Sequence, residues 1–122
     1  MAYDIHITRA ERWIYSEETP INYEEYEEVV KNDTSFRAAY GPVTELWGMT
    51  IEHENGPLYI WTVEGEDTAI FWYDKGRLYI SRAQDHVIEK MIDLASKLNA
   101  KVEGDEGEIY FMNEGKVSYR YE

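Results

Sequence analysis

Residues 101–111 read "KVEGDEGEIYF": four carboxylates and two glycines inside a run that otherwise alternates like a strand. Side chains of this type at this spacing suit cation ligation, general acid–base work, or simple solvation of a turn. A calcium loop of the EF-hand kind needs oxygen ligands at its positions 1, 3 and 5, glycine at 6 and glutamate at 12. Counting from Glu103 puts Asp105 at position 3 but Gly107 at 5 and Glu108 at 6, so that pattern fails. A looser cation site on Glu103, Asp105 and Glu108 stays open as an alternative. The expected role is a turn, in which Gly104-Asp105-Glu106-Gly107 reverses the chain while its acids stay in water. No metal is expected.

The other chemistry-bearing residues are the histidines, His6, His53 and His86. His6 falls on the polar face of an N-terminal strand with Asp4, so an Asp–His pair would have to form across to a neighbouring strand. Nothing nucleophilic accompanies it, neither a cysteine nor a glycine-flanked serine elbow. Zinc would need three or four suitably spaced ligands, and no HxH or HExxH occurs. All three are therefore expected to be ordinary surface or half-buried histidines, with His86 exposed at a helix start. The absence of GxGxxG and GxxxxGK[ST] leaves nucleotide binding without support, and no cofactor is expected.

Around these residues the sequence sets out its elements. "YDIHIT" at 3–8 alternates apolar and polar residues, the mark of a strand with one buried face, and 9–19 reads as a loop. A helix over about 22–32 starts at Asn22 as N-cap, with Glu25 three positions on and Ile21 and Tyr26 placed for a hydrophobic staple. Tyr23, Tyr26, Val29 and Val30 form its apolar stripe. From 43 to 82 the pattern predicts a four-strand meander: "TELWGMTIEH", a turn at Asn55-Gly56, "LYIWTV", "TAIFWYD" and "RLYIS". "TAIFWYD" is apolar on both faces and so belongs centrally in the sheet, and "DKG" suits a three-residue hairpin.

A second helix over about 84–99 carries Val87, Ile88, Met91, Ile92, Leu94, Ala95 and Leu98 on one broad face, with Ser81 and Gln84 as a capping box or Asp85 as an alternative cap, and Asn99 as C-terminal cap. Three short strands follow, separated by the turns at 104–107 and 113–115. The architecture is α+β: one domain over 1–122, with a mainly antiparallel twisted sheet of about six to eight strands and two helices packed on one face.

The formal charge of −13 comes from 25 acidic and 12 basic residues, and cysteine is absent. Such a field repels nucleic acid and anionic membranes and attracts basic partners. The first residues lack an apolar signal core and no 18-residue apolar run occurs, so a membrane span is not expected and the cytoplasm is the expected compartment. Four tryptophans and eleven tyrosines mostly alternate along strands, as core residues do; Trp13 and Trp47 are the candidates for stacking on a small ligand or carbohydrate. Glu17, Glu18, Glu24, Glu25, Glu27 and Glu28 crowd a short stretch that also holds Tyr15, Tyr23 and Tyr26. Tyrosine offers rigid contact area and carboxylates meet Lys and Arg, which suits a basic protein partner.

Read together, "AYDIHITRAERW", "PINYEEYEEVV" and "MIDLASKLNAKVEGDEGEIYF" resemble small, largely uncharacterised bacterial proteins that have a YDI-type first strand, a Pro-Ile helix start and a VxGDxGExY ending. That resemblance implies no catalytic residues; some small acidic bacterial proteins of this general kind are immunity proteins beside toxins. The expected function is a non-enzymatic acidic cytoplasmic binding protein that blocks a basic, nuclease-type toxin. Glu17, Glu18, Tyr23, Glu24, Glu25, Tyr26, Glu27 and Glu28 form its expected contact surface. The alternatives are a ligand-binding module on exposed aromatics and, less favoured, an enzyme built on Asp4, His6 and strand-end acids.

Overall fold

The computed structural model describes residues 3–40, 43–44, 50–51 and 56–121, with backbone alone for 43–44 and 50–51. Alternation and turn chemistry lay down β1 (Asp4–Thr8), β2 (Phe36–Ala39), β5 (Leu58–Val63), β6 (Glu66–Asp74), β7 (Arg77–Ser81), β8 (Lys101–Gly104), β9 (Ile109–Asn113) and β10 (Lys116–Arg120). These eight strands make one open antiparallel sheet in the order β10-β9-β8-β1-β7-β6-β5-β2. A separate ribbon pairs β3 (Val43–Thr44) with β4 (Thr50–Ile51). Two α-helices, α1 (Tyr23–Lys31) and α2 (Asp85–Lys97), and a 3-10 helix, Trp13–Glu18, complete the α+β fold. No helix among the described residues is long and apolar enough to cross a membrane.

Local chemistry sets the helix ends. The Asn22–Glu25 capping box forms at α1, and Glu25 Oε1 accepts the Asn22 N–H at 3.2 Å. The expected Ser81–Gln84 capping box does not form: Gln84 stands at the N-cap position without a side-chain cap hydrogen bond, and the Ser81 hydroxyl donates to Asp4 Oδ1 at 2.6 Å. Asn99, at φ 54°, ends α2 in the left-handed region, and the Ala100 N–H returns to Ala95 O at 2.9 Å, closing a Schellman-type turn.

The meander differs from its expected form in two ways. Thr44 pairs with Thr50 and Val43 with Ile51, so the chain reverses inside "TELWGMTIEH" and does not run through it as one strand. The fourth partner is instead β2, which pairs with β5 and is too short for its alternation to be read from sequence. Trp47, Met49, His53 and Asn55 lie outside the described residues. The β6–β7 hairpin is also tighter than expected: Asp74 pairs with Arg77, leaving a two-residue turn with Lys75 and Gly76 at φ 51° and 81°. Both central residues take positive φ, which matches the strand twist and favours glycine second. Glu64–Gly65 and Glu114–Gly115 turn in the same way. β6 lies inside the sheet as expected, between β5 and β7, while the middle of the sheet belongs to β1.

Both helices pack on one face of the sheet. Tyr23, Tyr26 and Val30 of α1, Met91, Leu94 and Ala95 of α2, and Ile5, Ile7, Phe71, Leu78 and Val102 of the strands join one buried cluster. Each fully buried Leu or Ile contributes roughly 1.5–3 kcal/mol by leaving water. The alternate residues of the middle strands, His6 and Thr8 of β1 and Glu103 of β8, point to the opposite face. There the 3-10 helix crosses β1 and β7, with Ser16 Oγ 2.9 Å from Thr8 Oγ1. Its close approach requires a residue without a side chain at Gly76, where a Cβ would meet Ser16 O at 2.9 Å and Pro20 closer still.

Candidate functional site

The acidic turn does not hold all its carboxylates in water. Glu103 and Glu108 are buried, at 0% and 5% exposure, Asp105 is half-buried, and of the four only Glu106 is exposed. Burial of a carboxylate demands partners, and Glu103 has two: Oε1 accepts the Trp13 backbone N–H and Oε2 the Arg12 Nε–H, each at 2.7 Å. The Arg12 guanidinium rests against Gly107, where a Cβ would lie 2.9 Å from it.

Glu108 is supported differently. The Tyr3 and Tyr110 hydroxyls both donate to its Oε2, while its Oε1 is buried without a hydrogen bond. The carboxylate fills the space that Gly104 leaves open; Gly104 ends β8 as the partner of Ile5 and also opens the expected turn, its carbonyl accepting the Gly107 N–H at 2.9 Å. Burial, and the Glu108 carboxylate at each hydroxyl, push Tyr3 and Tyr110 well above the usual phenol range.

Asp105 ties this turn to β1. Its Oδ2 accepts the Asp4 N–H at 2.8 Å, and its Oδ1 lies 2.7 Å from His6 Nε2. His6, expected at or near the surface, is 1% exposed, because Trp13 stacks flat on it at 4.1 Å with 4° between the rings. Arg77 donates its Nε–H to His6 Nδ1 at 3.1 Å and lies over the rings of Trp13 and Tyr79. These partners fix the tautomer, with the proton on Nε2 facing Asp105 and a lone pair on Nδ1 facing Arg77. Burial first, and the Arg77 charge after it, hold the imidazole below its ordinary 6.5, against the pull of Asp105 and Asp4. The Asp–His pair that sequence allowed across strands thus forms, with Asp105 and not with Asp4.

Neither ring nitrogen of His6 faces open space, so the pair has no site for a substrate proton. Among the described residues no three His, Asp or Glu side chains converge as a metal ligand set. A cleft of about 220 Å³ opens beside this cluster, bordered by Trp13, Ile14, Glu17, Asp74, Lys75 and Arg77.

The acidic contact surface read from sequence divides in two. Glu17, Glu18, Glu24 and Glu28 are exposed. Glu25 is engaged by Arg9 at 2.6 and 2.8 Å, which together with the Asn22 N–H draws its carboxyl down to about 2. Glu27 accepts the Tyr59 hydroxyl at 2.8 Å. Tyr23 and Tyr26, expected as contact residues, lie in the core at 7% and 0% exposure. Tyr23 donates to Pro57 O at 2.5 Å and Tyr26 to Phe71 O at 2.8 Å, so neither ring is available to a partner.

Exposed large apolar side chains among the described residues are instead Ile14 and Tyr15 on the 3-10 helix, at 56% and 52%, with Tyr40, Val63, Tyr119 and Tyr121 elsewhere; only Ile14 and Tyr15 are consecutive in the chain. The only sequence signal of that pair is two large side chains together in a segment that has neither strand nor helix period. Compared with family models, curated proteins and solved structures, the chain matches none.

Proposed function

We propose that this chain is a non-enzymatic binding protein of the cytoplasm that takes a basic protein partner on the 3-10 helix and its acidic neighbours Glu11, Glu17 and Glu18, while the exposed Glu24 and Glu28 of α1, on the other face of the sheet, add to the attracting field. An immunity protein that fills the cationic groove of a nuclease-type toxin is its most concrete form. The observation that carries the reading is the exposed pair Ile14 and Tyr15, flanked in the chain by the exposed Glu11, Glu17 and Glu18. Interfaces draw their energy from a few large anchors inside a polar rim, and this arrangement has that form.

The charge distribution supports it. Among the described residues, Arg9, Arg12, Lys31, Arg37, Arg77, Lys90 and Lys97 are held in ion pairs with the protein's own carboxylates. Among the described residues no cation stands within ion-pair reach of Glu11, Glu17, Glu18, Glu24 or Glu28. The outward field is therefore negative, which speeds encounter with a basic surface and opposes nucleic acid.

The test is capture from extracts of the source cell at low and high salt, followed by titration of the purified partner. A basic protein should be retained at low salt and lost as salt rises. Replacing both Ile14 and Tyr15 with alanine should weaken it by about tenfold or more. Retention of only acidic proteins, or binding indifferent to both the charge-reversed variant (Glu17, Glu18, Glu24 and Glu28 to lysine) and the anchor variant, would sink the proposal.

A further inference from the structure

The segment Arg12–Glu18 forms a strap across the sheet, held on and around His6. Trp13 covers the imidazole of His6. The Trp13 N–H and the Arg12 side chain both bond Glu103, the register partner of His6 on β8. Arg77, on β7, bonds His6 Nδ1 and lies 5.4 Å from the centre of the Trp13 ring. Asp105, from the turn after β8, closes the other ring nitrogen and accepts the Trp13 indole N–H at its carbonyl at 3.4 Å. We infer that His6 is a proton-operated latch: the neutral imidazole holds the strap down, and a proton added at Nδ1 releases it. This rests on the partner-binding reading only for its consequence, that the surface carrying Ile14 and Tyr15 is assembled near neutral pH and loosened in acid.

The geometry gives the reason. Nδ1 now accepts a hydrogen bond from Arg77; once protonated it presents an N–H to another N–H at 3.1 Å. A hydrogen bond is lost and two like charges face each other out of water, an arrangement that burial makes worse. Arg77 has somewhere to go, because its Nη1 already bonds Asp74 O at 3.0 Å and lies 3.4 Å from the exposed Asp74 carboxylate. Turning toward Asp74 takes its guanidinium away from the Trp13 ring.

Every charged group facing the imidazole takes a side. Asp105 and Asp4 favour the imidazolium, as does Glu103 across the β1–β8 register, although Glu103 is already paired with Arg12. Burial and Arg77 oppose it, and they prevail. Because the folded imidazole binds its proton more weakly than an unfolded one, the unfolded chain takes up more protons as pH falls below 6.5. Stability therefore declines from 6.5 down to the folded value and levels off beneath it. The strap is a single short helix with few buried side chains of its own, so it opens before the sheet does.

Nuclear magnetic resonance on the whole chain tests this without any partner. At neutral pH the ring nitrogen shifts of His6 should report a proton on Nε2 and none on Nδ1. As pH is lowered, protonation of His6 and loss of amide protection over residues 13–18 should follow one titration curve, with about a tenfold loss while β1 and β8 stay protected. Protonation with strap protection unchanged overturns the latch, and so does a strap that opens while His6 is still neutral. Arg77→Met removes the opposing cation; His6 should then titrate at higher pH and its protonation should leave strap protection within about twofold. Strap opening that persists with His6 protonation in that variant also overturns it. A failed partner search leaves these titrations intact, whereas a failed latch predicts partner binding that does not change as His6 titrates.

Discussion

The β8–β9 turn and α1 are both short, acidic and close to tyrosine, yet they fold those residues in opposite senses. In α1 the tyrosines turn inward, Tyr23 and Tyr26 donating to backbone carbonyls, while Glu24 and Glu28 stay in water. At the turn the glutamates turn inward and recruit their donors: Arg12 and the Trp13 N–H for Glu103, Tyr3 and Tyr110 for Glu108. The difference lies in who supplies the partner. A helix stripe chooses its buried side by period, and the tyrosine hydroxyls then need only a carbonyl. A buried carboxylate needs donors already in place, so it can exist only where distant segments converge.

The sharpest way to break this contrast is to remove a donor at the turn. Arg12→Met leaves Glu103 buried with the Trp13 N–H alone and should destabilise the fold by about 3 kcal/mol or more in denaturant unfolding. An effect within a few tenths would mean that water reaches Glu103 and that the two regions do not differ. Next, Gly104→Ala drives a methyl group into the Glu108 carboxylate and should lose about 1–3 kcal/mol. Adding Glu108→Ala should restore part of that loss, and a purely additive double variant would deny that Gly104 and Glu108 share one space.

On the helix side the effects shrink. Tyr26→Phe removes one buried hydrogen bond to Phe71 O and should cost about 1 kcal/mol, read from the unfolding midpoint at constant slope. Glu24→Gln and Glu28→Gln should each change stability by less than about 0.5 kcal/mol. Their effect should appear instead as a slower, less salt-sensitive association with a basic partner. A large stability loss from either would show that the outer glutamates of α1 hold structure as those of the turn do.

The two regions were also unequally legible. Asn22, Glu25, Tyr23, Tyr26 and Val30 declare α1 because capping and the 3.6-residue period act within a few positions. The antiparallel sheet and α2 are legible for the same reason. The inward turn of Glu103 and His6 is not, because their partners stand 91 and 99 residues away along the chain, and no local pattern encodes that meeting. Tyr23 and Tyr26 were misassigned to the surface because acids surround them in the chain, although the helix period alone already pointed them inward. The strap escaped because a 3-10 helix of six residues repeats no pattern. Ile14 and Tyr15 are consequently visible only once the face opposite the helices exists.

The position of β1 also carries a consequence for the order of assembly. It precedes every other element in the chain, yet its two neighbours are β7 and β8, which pair with it through residues 78–81 and 101–104. The β5–β6–β7 hairpins can close through two-residue turns as soon as they are made, whereas β1 must wait for most of the chain. Loop closure over such separations is slow, so joining the hairpin half to the β8–β10 half through β1 is expected to be a late and slow step of folding. A synthesis pause before residue 101 would leave "DIHIT" with β7 as its only available partner and its β8 edge open to pairing with other chains.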